Sequence, residues 1–186
     1  MTFTATLNNL NKVLASKSDL ILLDQSTLDL ANWIREATQN RKITTIFGNG
    51  GSAADAQHWA AELTCTYKSR QRPPFIASAL TTDTSIITAC SNDFSFQSVF
   101  TRQIEGFGLL NGLAIGLSTS GSSMNVLNAL EVAKEFSAKT VLVSGSSASI
   151  QSYVDLHVKF NSTETSLIQT LTQMLYHSVC ELLEVS

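Results

Sequence analysis

The sequence predicts an α/β protein, a three-layer αβα sandwich around a central parallel sheet. Two observations carry this. Short apolar runs alternate with amphipathic helical stretches through nearly all of the 186 residues. Such alternation implies parallel strands joined by crossover helices that cover both faces of the sheet. Two of the apolar runs also pass directly into glycine- or serine-rich turns, at residues 48–52 and 118–123, and each turn opens a helix. In open α/β sheets the carboxyl ends of the strands hold the ligand, so both turns belong on one edge.

The elements follow in order. Leu7, Leu10, Val13 and Leu14 repeat helically, and Leu20 to Asn40 reads as a second helix with Leu23, Leu28, Leu30, Trp33 and Ile34 on its apolar side. Ile43 to Phe47 is strand-like, and Ser52 to about Thr66 is helical. Pro73-Pro74 breaks the chain before a second strand, Phe75 to Leu80. Helices are expected at Ser85–Cys90 and Phe96–Phe107, a buried strand at Leu113–Leu117, and a helix from Asn125 to Phe136. Thr140–Val143 and Val154–Phe160 complete the strands, and Glu164–Leu183 is a long closing helix. With no internal repeat and no long linker, residues 1–186 read as one domain.

Composition narrows the function classes. The net charge of −3, with no basic block, favours neither nucleic acid nor an anionic membrane surface. The start of the chain lacks the charged and apolar regions of a signal peptide, and no apolar run approaches the length of a membrane span. Cys65, Cys90 and Cys180 are odd in number and scattered, which fits reduced thiols in a cytoplasmic protein and small core side chains. Only 15% of residues are charged, which points to extensive burial and to an oligomer.

The chemistry concentrates in the run from Phe47 to His58 and on to Glu62. A strand, a glycine turn and a helix N-terminus make a site for an anionic or polyhydroxy ligand. Asp55, His58 and Glu62 stand at i, i+3 and i+7, on one helix face. A His and a Glu one turn apart serve as a metal pair or an acid–base pair. The segment Ser118-Thr119-Ser120-Gly121-Ser122-Ser123 is the second signal, because hydroxyls, backbone N–H groups and a helix dipole together suit a phosphate. Helix capping without a ligand is the alternative, and the position after a buried strand favours phosphate. Neither turn is a P-loop or a dinucleotide fingerprint. Gln169, Gln173 and His177 stand at i, i+4 and i+8 beside an apolar stripe, where a hydrogen-bonded structural histidine is the plain reading of His177. His157 alternates with Leu156 and Val158 and reads as polar surface.

Taken together, Gly48 to His58 with Glu62, Thr88-Ala89, Asn92-Asp93-Phe94, Ser118 to Val126, Ile168-Gln169 and His177 resemble the sedoheptulose 7-phosphate isomerases (phosphoheptose isomerases) of the sugar-isomerase (SIS) domain group. The likeness runs in order through almost the whole chain. It implies the αβα fold, a homotetramer with active sites between subunits, and N-terminal helices (about 1–40) that pack on the sheet domain and on a neighbouring subunit. It implies conversion of sedoheptulose 7-phosphate into D-glycero-D-manno-heptose 7-phosphate, the first step towards the heptose of lipopolysaccharide or related surface glycans. The substrate-binding set it implies is Asn49, Gly50, Gly51, Ser52, Glu62, Asn92, Asp93, Ser118, Thr119, Ser120, Ser123 and Gln169. The zinc ligands it implies are His58, Glu62, Gln169 and His177. Where the family commonly has Gln-Glu-x-His this chain reads Gln169-Thr170-Leu171-Thr172; Thr66 replaces an arginine before Tyr67, and Asn111-Gly112 replaces Gly-Asp. These departures leave the implied ligands and acid–base groups in place.

Aldose–ketose isomerisation removes a proton from the carbon beside C=O and returns it to the neighbouring carbon through a cis-enediol. Glu62 is the expected carbon base and His177 the expected acid on the oxygen side. A metal-ligating Glu is a weaker base, and monodentate ligation reconciles the two roles. Two other classes share the domain: non-catalytic proteins that bind the bacterial replication initiator, and sugar-phosphate sensors. The presence of both Glu62 and His177 argues against the first, and the absence of a basic DNA-binding module against the second.

Overall fold

The computed structural model describes residues 2–184. Helices α1 (Phe3–Val13) and α2 (Lys17–Gln39) precede β1 (Thr44–Gly48) and α3 (Gly51–Thr64). Then come β2 (Ala77–Ala79), α4 (Thr84–Asp93), a 3-10 turn (Phe96–Ser98) and α5 (Thr101–Phe107). The chain continues through β3 (Leu113–Ser118), α6 (Met124–Glu135), β4 (Lys139–Ser144) and β5 (Leu156–Lys159) to α7 (Thr165–Glu184). The five strands form one sheet in the order β2-β1-β3-β4-β5, every pair parallel.

Period-2 alternation in the strands sorts side chains onto the two faces. Ile46, Ile115, Val141 and Val143 join a core with Leu30, Ile34, Trp59, Leu63, Leu171 and Tyr176 under α2, α3 and α7. Phe47, Ala114 and Leu142 join a second core with Phe100, Ile104, Val126 and Leu130 under α5 and α6. Helices on both faces of a parallel sheet give the expected three-layer arrangement. The strand order reverses between β1 and β3, so the helices after these strands, α3 and α6, leave on opposite faces. The crevice between them is where such sheets bind ligands.

Several expectations are corrected. The strand expected at Phe75–Leu80 shrinks to Ala77–Ala79, because Phe75 N donates to Leu63 O and Ile76 N to Thr38 Oγ1, away from the sheet. The strand expected at Val154–Phe160 likewise starts only at Leu156, because Val154 N is taken by a turn to Gln151 O. The helix expected over Phe96–Phe107 divides into a 3-10 turn and α5, and Gln103 Nε2 clamps the junction by donating to Leu80 O and Val99 O. Cys65 is exposed at the end of α3, whereas Cys90 and Cys180 are buried as expected; all three are free thiols. Leu28 also faces outward, at 46% exposure, although α2 places it near the apolar side. His157 is not simple polar surface: it is half-buried, and its Nε2 meets Ser144 Oγ at 2.7 Å.

Candidate active site

The glycine turn and the serine loop stand at the carboxyl ends of the adjacent strands β1 and β3. Gly48 is required for this approach: a Cβ there would lie 2.7 Å from Leu117 O and 2.8 Å from the Ser52 Cβ. Gly50, with φ of 55°, starts α3 from the left-handed region that glycine tolerates best. Across the crevice, Asn49 and Asn125 exchange amide hydrogen bonds, Nδ2 to Oδ1 at 2.9 Å and 2.8 Å. Asn125 is buried in the first turn of α6, so this pair fixes the glycine turn to the helix that follows the serine loop.

The serine loop is folded around its first residue. Buried Ser118 Oγ accepts from Gly121 N at 3.1 Å and donates to Ser123 Oγ at 3.0 Å. Ser120 Oγ accepts from Ser122 N at 3.2 Å. Gly121, at φ of 68°, packs so tightly on Ala148 that any Cβ would overlap it. Thr119 O accepts from Gly145 N, joining the loop to the end of β4. The result is a braced ring of hydroxyls and N–H groups at the start of α6, a geometry suited to an anion.

The second half of the site lies along the seam between α3 and α7. His58 Nε2 meets Glu62 Oε1 at 3.0 Å, and His58 Nδ1 meets the Tyr176 hydroxyl at 2.8 Å. The His58 and His177 rings stand edge to face at 5.3 Å, and Tyr67 stacks on the outer side of His177 at 5.9 Å. One ligating atom each from His58, Glu62 and His177 lies within 4.8 Å of the other two. Two imidazoles and a carboxylate at that spacing fit one divalent ion of the zinc type. Gln169 lies towards the start of both helices, where a Cβ on Gly51 would sit 2.2 Å from its Nε2, about two turns of α7 before His177.

Electrostatics follow from this packing. Burial, then the neighbouring His58, lowers the His177 pKa, while Glu62 pulls it the other way; the ring is therefore biased towards its neutral, ligating form. Burial, reinforced by the nearby Asp55 carboxylate, pushes the Tyr176 phenol up to about 12. Asp55 is itself raised by burial against the pull of His58.

The structure thus brings His58, Glu62 and His177 within ligating distance of one another, sets Gln169 beside Gly51, and ties Asn49 to the start of α6 behind the serine loop Ser118, Thr119, Ser120 and Ser123. Ser52, the second residue of α3, is buried behind the glycine turn. Asn92 and Asp93 lie at the exposed C-terminal end of α4, where Asn92 Nδ2 donates to Asp93 Oδ1 at 2.8 Å. The residues flanking them, Ile87 and Phe96, line a recess of about 190 Å³ that reaches Gly48, Asn49 and Gly50. Sequence reasoning assigned no role to Tyr176 or Asn125. Each is a polar side chain in a buried helical register, a signal visible only once its distant partner is known.

Known proteins share this fold. The SIS domain family matches residues 10–145. The phosphoheptose isomerase of Aliarcobacter butzleri is 42% identical over 163 residues, covering 86% of this chain and 85% of the relative. The phosphoheptose isomerase structure from Francisella tularensis superposes with a TM-score of 0.85 at 26% identity, over 100% of both chains. That from Neisseria gonorrhoeae superposes with a TM-score of 0.83 at 31% identity, over 98% of this chain and 97% of the other.

Proposed function

The chain belongs to the phosphoheptose isomerase family of SIS-domain proteins and is a sugar-phosphate isomerase, and we propose that it interconverts sedoheptulose 7-phosphate and D-glycero-D-manno-heptose 7-phosphate through a cis-enediol. The observation that carries the reading is the convergence of Glu62, His58 and His177, in a fold whose serine loop stands at the carboxyl end of β3. Ser118, Thr119, Ser120 and Ser123 hold the phosphate. Asn49, Gly50, Gly51 and Ser52, with Asn92, Asp93 and Gln169, orient the sugar chain. Glu62 Oε1 is engaged by His58 Nε2, which leaves Oε2 to take the carbon-bound proton and return it to the neighbouring carbon. His177, biased towards neutrality, moves the proton between the two oxygens. A zinc ion held by His58, Glu62, Gln169 and His177 would supply positive charge beside the negative charge that develops on the substrate oxygens.

Residues 1–186 act in this reading as one SIS domain, and four copies assemble. Two features support assembly. Phe3, Ile21 and Leu22 on the N-terminal helices are 85%, 60% and 67% exposed. A cavity of about 500 Å³ between α2 and α7, lined by Asp24, Leu28, Tyr67, His177 and Glu181, also opens outward beside the site. Among the described residues no helix is long and apolar enough to cross a membrane. The three free thiols support a cytoplasmic enzyme, one that supplies heptose for lipopolysaccharide or a surface glycan. Incubation of the purified protein with sedoheptulose 7-phosphate should give an aldose detectable by NMR. In deuterium oxide, deuterium should enter at a carbon next to the carbonyl. Absence of any aldose product sinks the reading.

A further inference from the structure

We propose that Tyr176 is a positioning residue for His58, its hydroxyl holding Nδ1 of the ring whichever nitrogen carries the proton. The hydrogen bonds dictate the logic. A carboxylate only accepts, so the neutral His58 that bonds Glu62 carries its proton on Nε2, and Nδ1 must accept from the Tyr176 hydroxyl at 2.8 Å. For Nε2 to offer its lone pair to a metal, the proton has to sit on Nδ1, which then donates to the same phenol oxygen. A hydroxyl serves as donor in the first state and acceptor in the second, whereas a carbonyl or carboxylate serves only the second. Tyr176 therefore lets His58 exchange its bond to Glu62 for ligation without losing its anchor.

The phenol is well placed for this role. It is 0% exposed and stacks on Trp59 at 5.7 Å, with rings 23° apart. Trp59 follows His58 on α3, and Tyr176 precedes His177 on α7. The single Tyr176–His58 bond thus crosses the seam, 118 residues apart in sequence, between the two helices that bring His58 and His177 together. Partners of this kind, which hold the second nitrogen of a ligating histidine, fix its tautomer and ring angle, and losing them typically weakens metal binding about 10–100-fold.

The metal half of this inference rests on the metal reading of the site, so the test has an arm free of metal. In metal-free, uniformly 15N-labelled protein, with the His58 signals assigned by their loss in His58→Gln, long-range proton–nitrogen spectra should show Nε2 protonated and Nδ1 with the shift of a hydrogen-bonded acceptor. Tyr176→Phe should move the Nδ1 signal to that of an unbonded nitrogen or scramble the tautomers. Zinc affinity, measured by competition with a chromophoric chelator, should fall about 10–100-fold in the same variant. An unchanged His58 spectrum in a folded Tyr176→Phe protein overturns the proposal, as does unchanged zinc affinity. The spectrum of the wild-type protein tests the point even if the variant fails to fold: a protonated Nδ1 with a bare Nε2 would refute the assignment. Wild-type protein that takes up no zinc refutes the metal reading alone, and the metal-free spectra still decide the role of Tyr176.

Discussion

In the proposed mechanism Glu62 is asked to do two things that oppose each other, since each bond its carboxylate accepts makes it a poorer base. Its side chain is 20% exposed and one oxygen is already held by His58, a compromise that keeps it oriented and leaves a basic atom for the substrate. Glu62→Gln keeps the shape and removes the base, so turnover should fall about 10²–10⁴-fold while circular dichroism stays unchanged. Near-wild-type turnover would remove Glu62 from the mechanism. Ser120 sits on the rim of the serine loop, held within it by Ser122. Ser120→Ala should cost the phosphorylated sugar about one neutral hydrogen bond, ~0.5–1.5 kcal/mol, read as a several-fold rise in KM with kcat little changed. A fall confined to kcat would place Ser120 away from the phosphate. Residues whose partners lie on the same helix are legible in the sequence, because spacing alone puts Asp55, His58 and Glu62 on one face. Tyr176 and Asn125 are not, since their partners His58 and Asn49 are 118 and 76 residues distant along the chain.

At the scale of elements, the site depends on how α7 is fixed against α3 at both ends. Near the start of α7, the bare Cα of Gly51 admits the Gln169 amide. At its far end, Glu184 takes the N–H groups of Lys68 and Ser69 and pairs with Arg72 at 2.8 Å, the two side chains only 8–9% exposed. Arg72 also donates to the carbonyls of Glu62 and Leu63, so one guanidinium ties the last turn of α3 to the end of α7. Burial opposes charge on Glu184, but Arg72 and the two backbone donors outweigh it and hold the carboxyl below its usual range. A group whose pKa is lower folded than unfolded contributes stability above the unfolded value, about 4.3 for Glu, and loses it as pH falls through the folded value. Urea midpoints should therefore drop on acidification through that window. Glu184→Gln should be less stable at neutral pH and flatter below about pH 4.3, since it carries no proton to gain. Parallel pH curves for the two proteins would show that the clamp contributes nothing. Element types are readable from periodicity throughout, whereas the ends of β2 and β5 are not. These are edge strands, and their length is set by which backbone donors side chains and turns have already taken.

For the whole molecule, alternation of strand and helix together with two turns after strands is enough to give the layers and the edge that carries the site. Strand order is not available in that way, because a right-handed crossover can lead to either neighbour. Only the observed reversal between β1 and β3 explains why the glycine turn and the serine loop face one crevice. The N-terminal helices pose the remaining question. α2 buries Leu30 and Ile34 completely, yet its first half leaves Leu20, Ile21, Leu22 and Leu28 at 40–67% exposure, and α1 has no buried residue. An apolar surface of this kind marks an interface, and it adjoins the open cavity beside His177. Burying what remains exposed of each of these side chains against another copy would stabilise the assembly by roughly half of the ~1.5–3 kcal/mol that full burial contributes. Replacing Ile21 and Leu22 together with Lys puts two charges on that face and leaves the Leu30–Ile34 contact with the rest of the fold intact. Sedimentation should then show the proposed tetramer giving way to smaller species that stay folded. Turnover should fall with it, because in the proposed assembly a neighbouring copy covers the cavity beside His177. A double variant that sediments and turns over like wild type would move the interface elsewhere on the molecule.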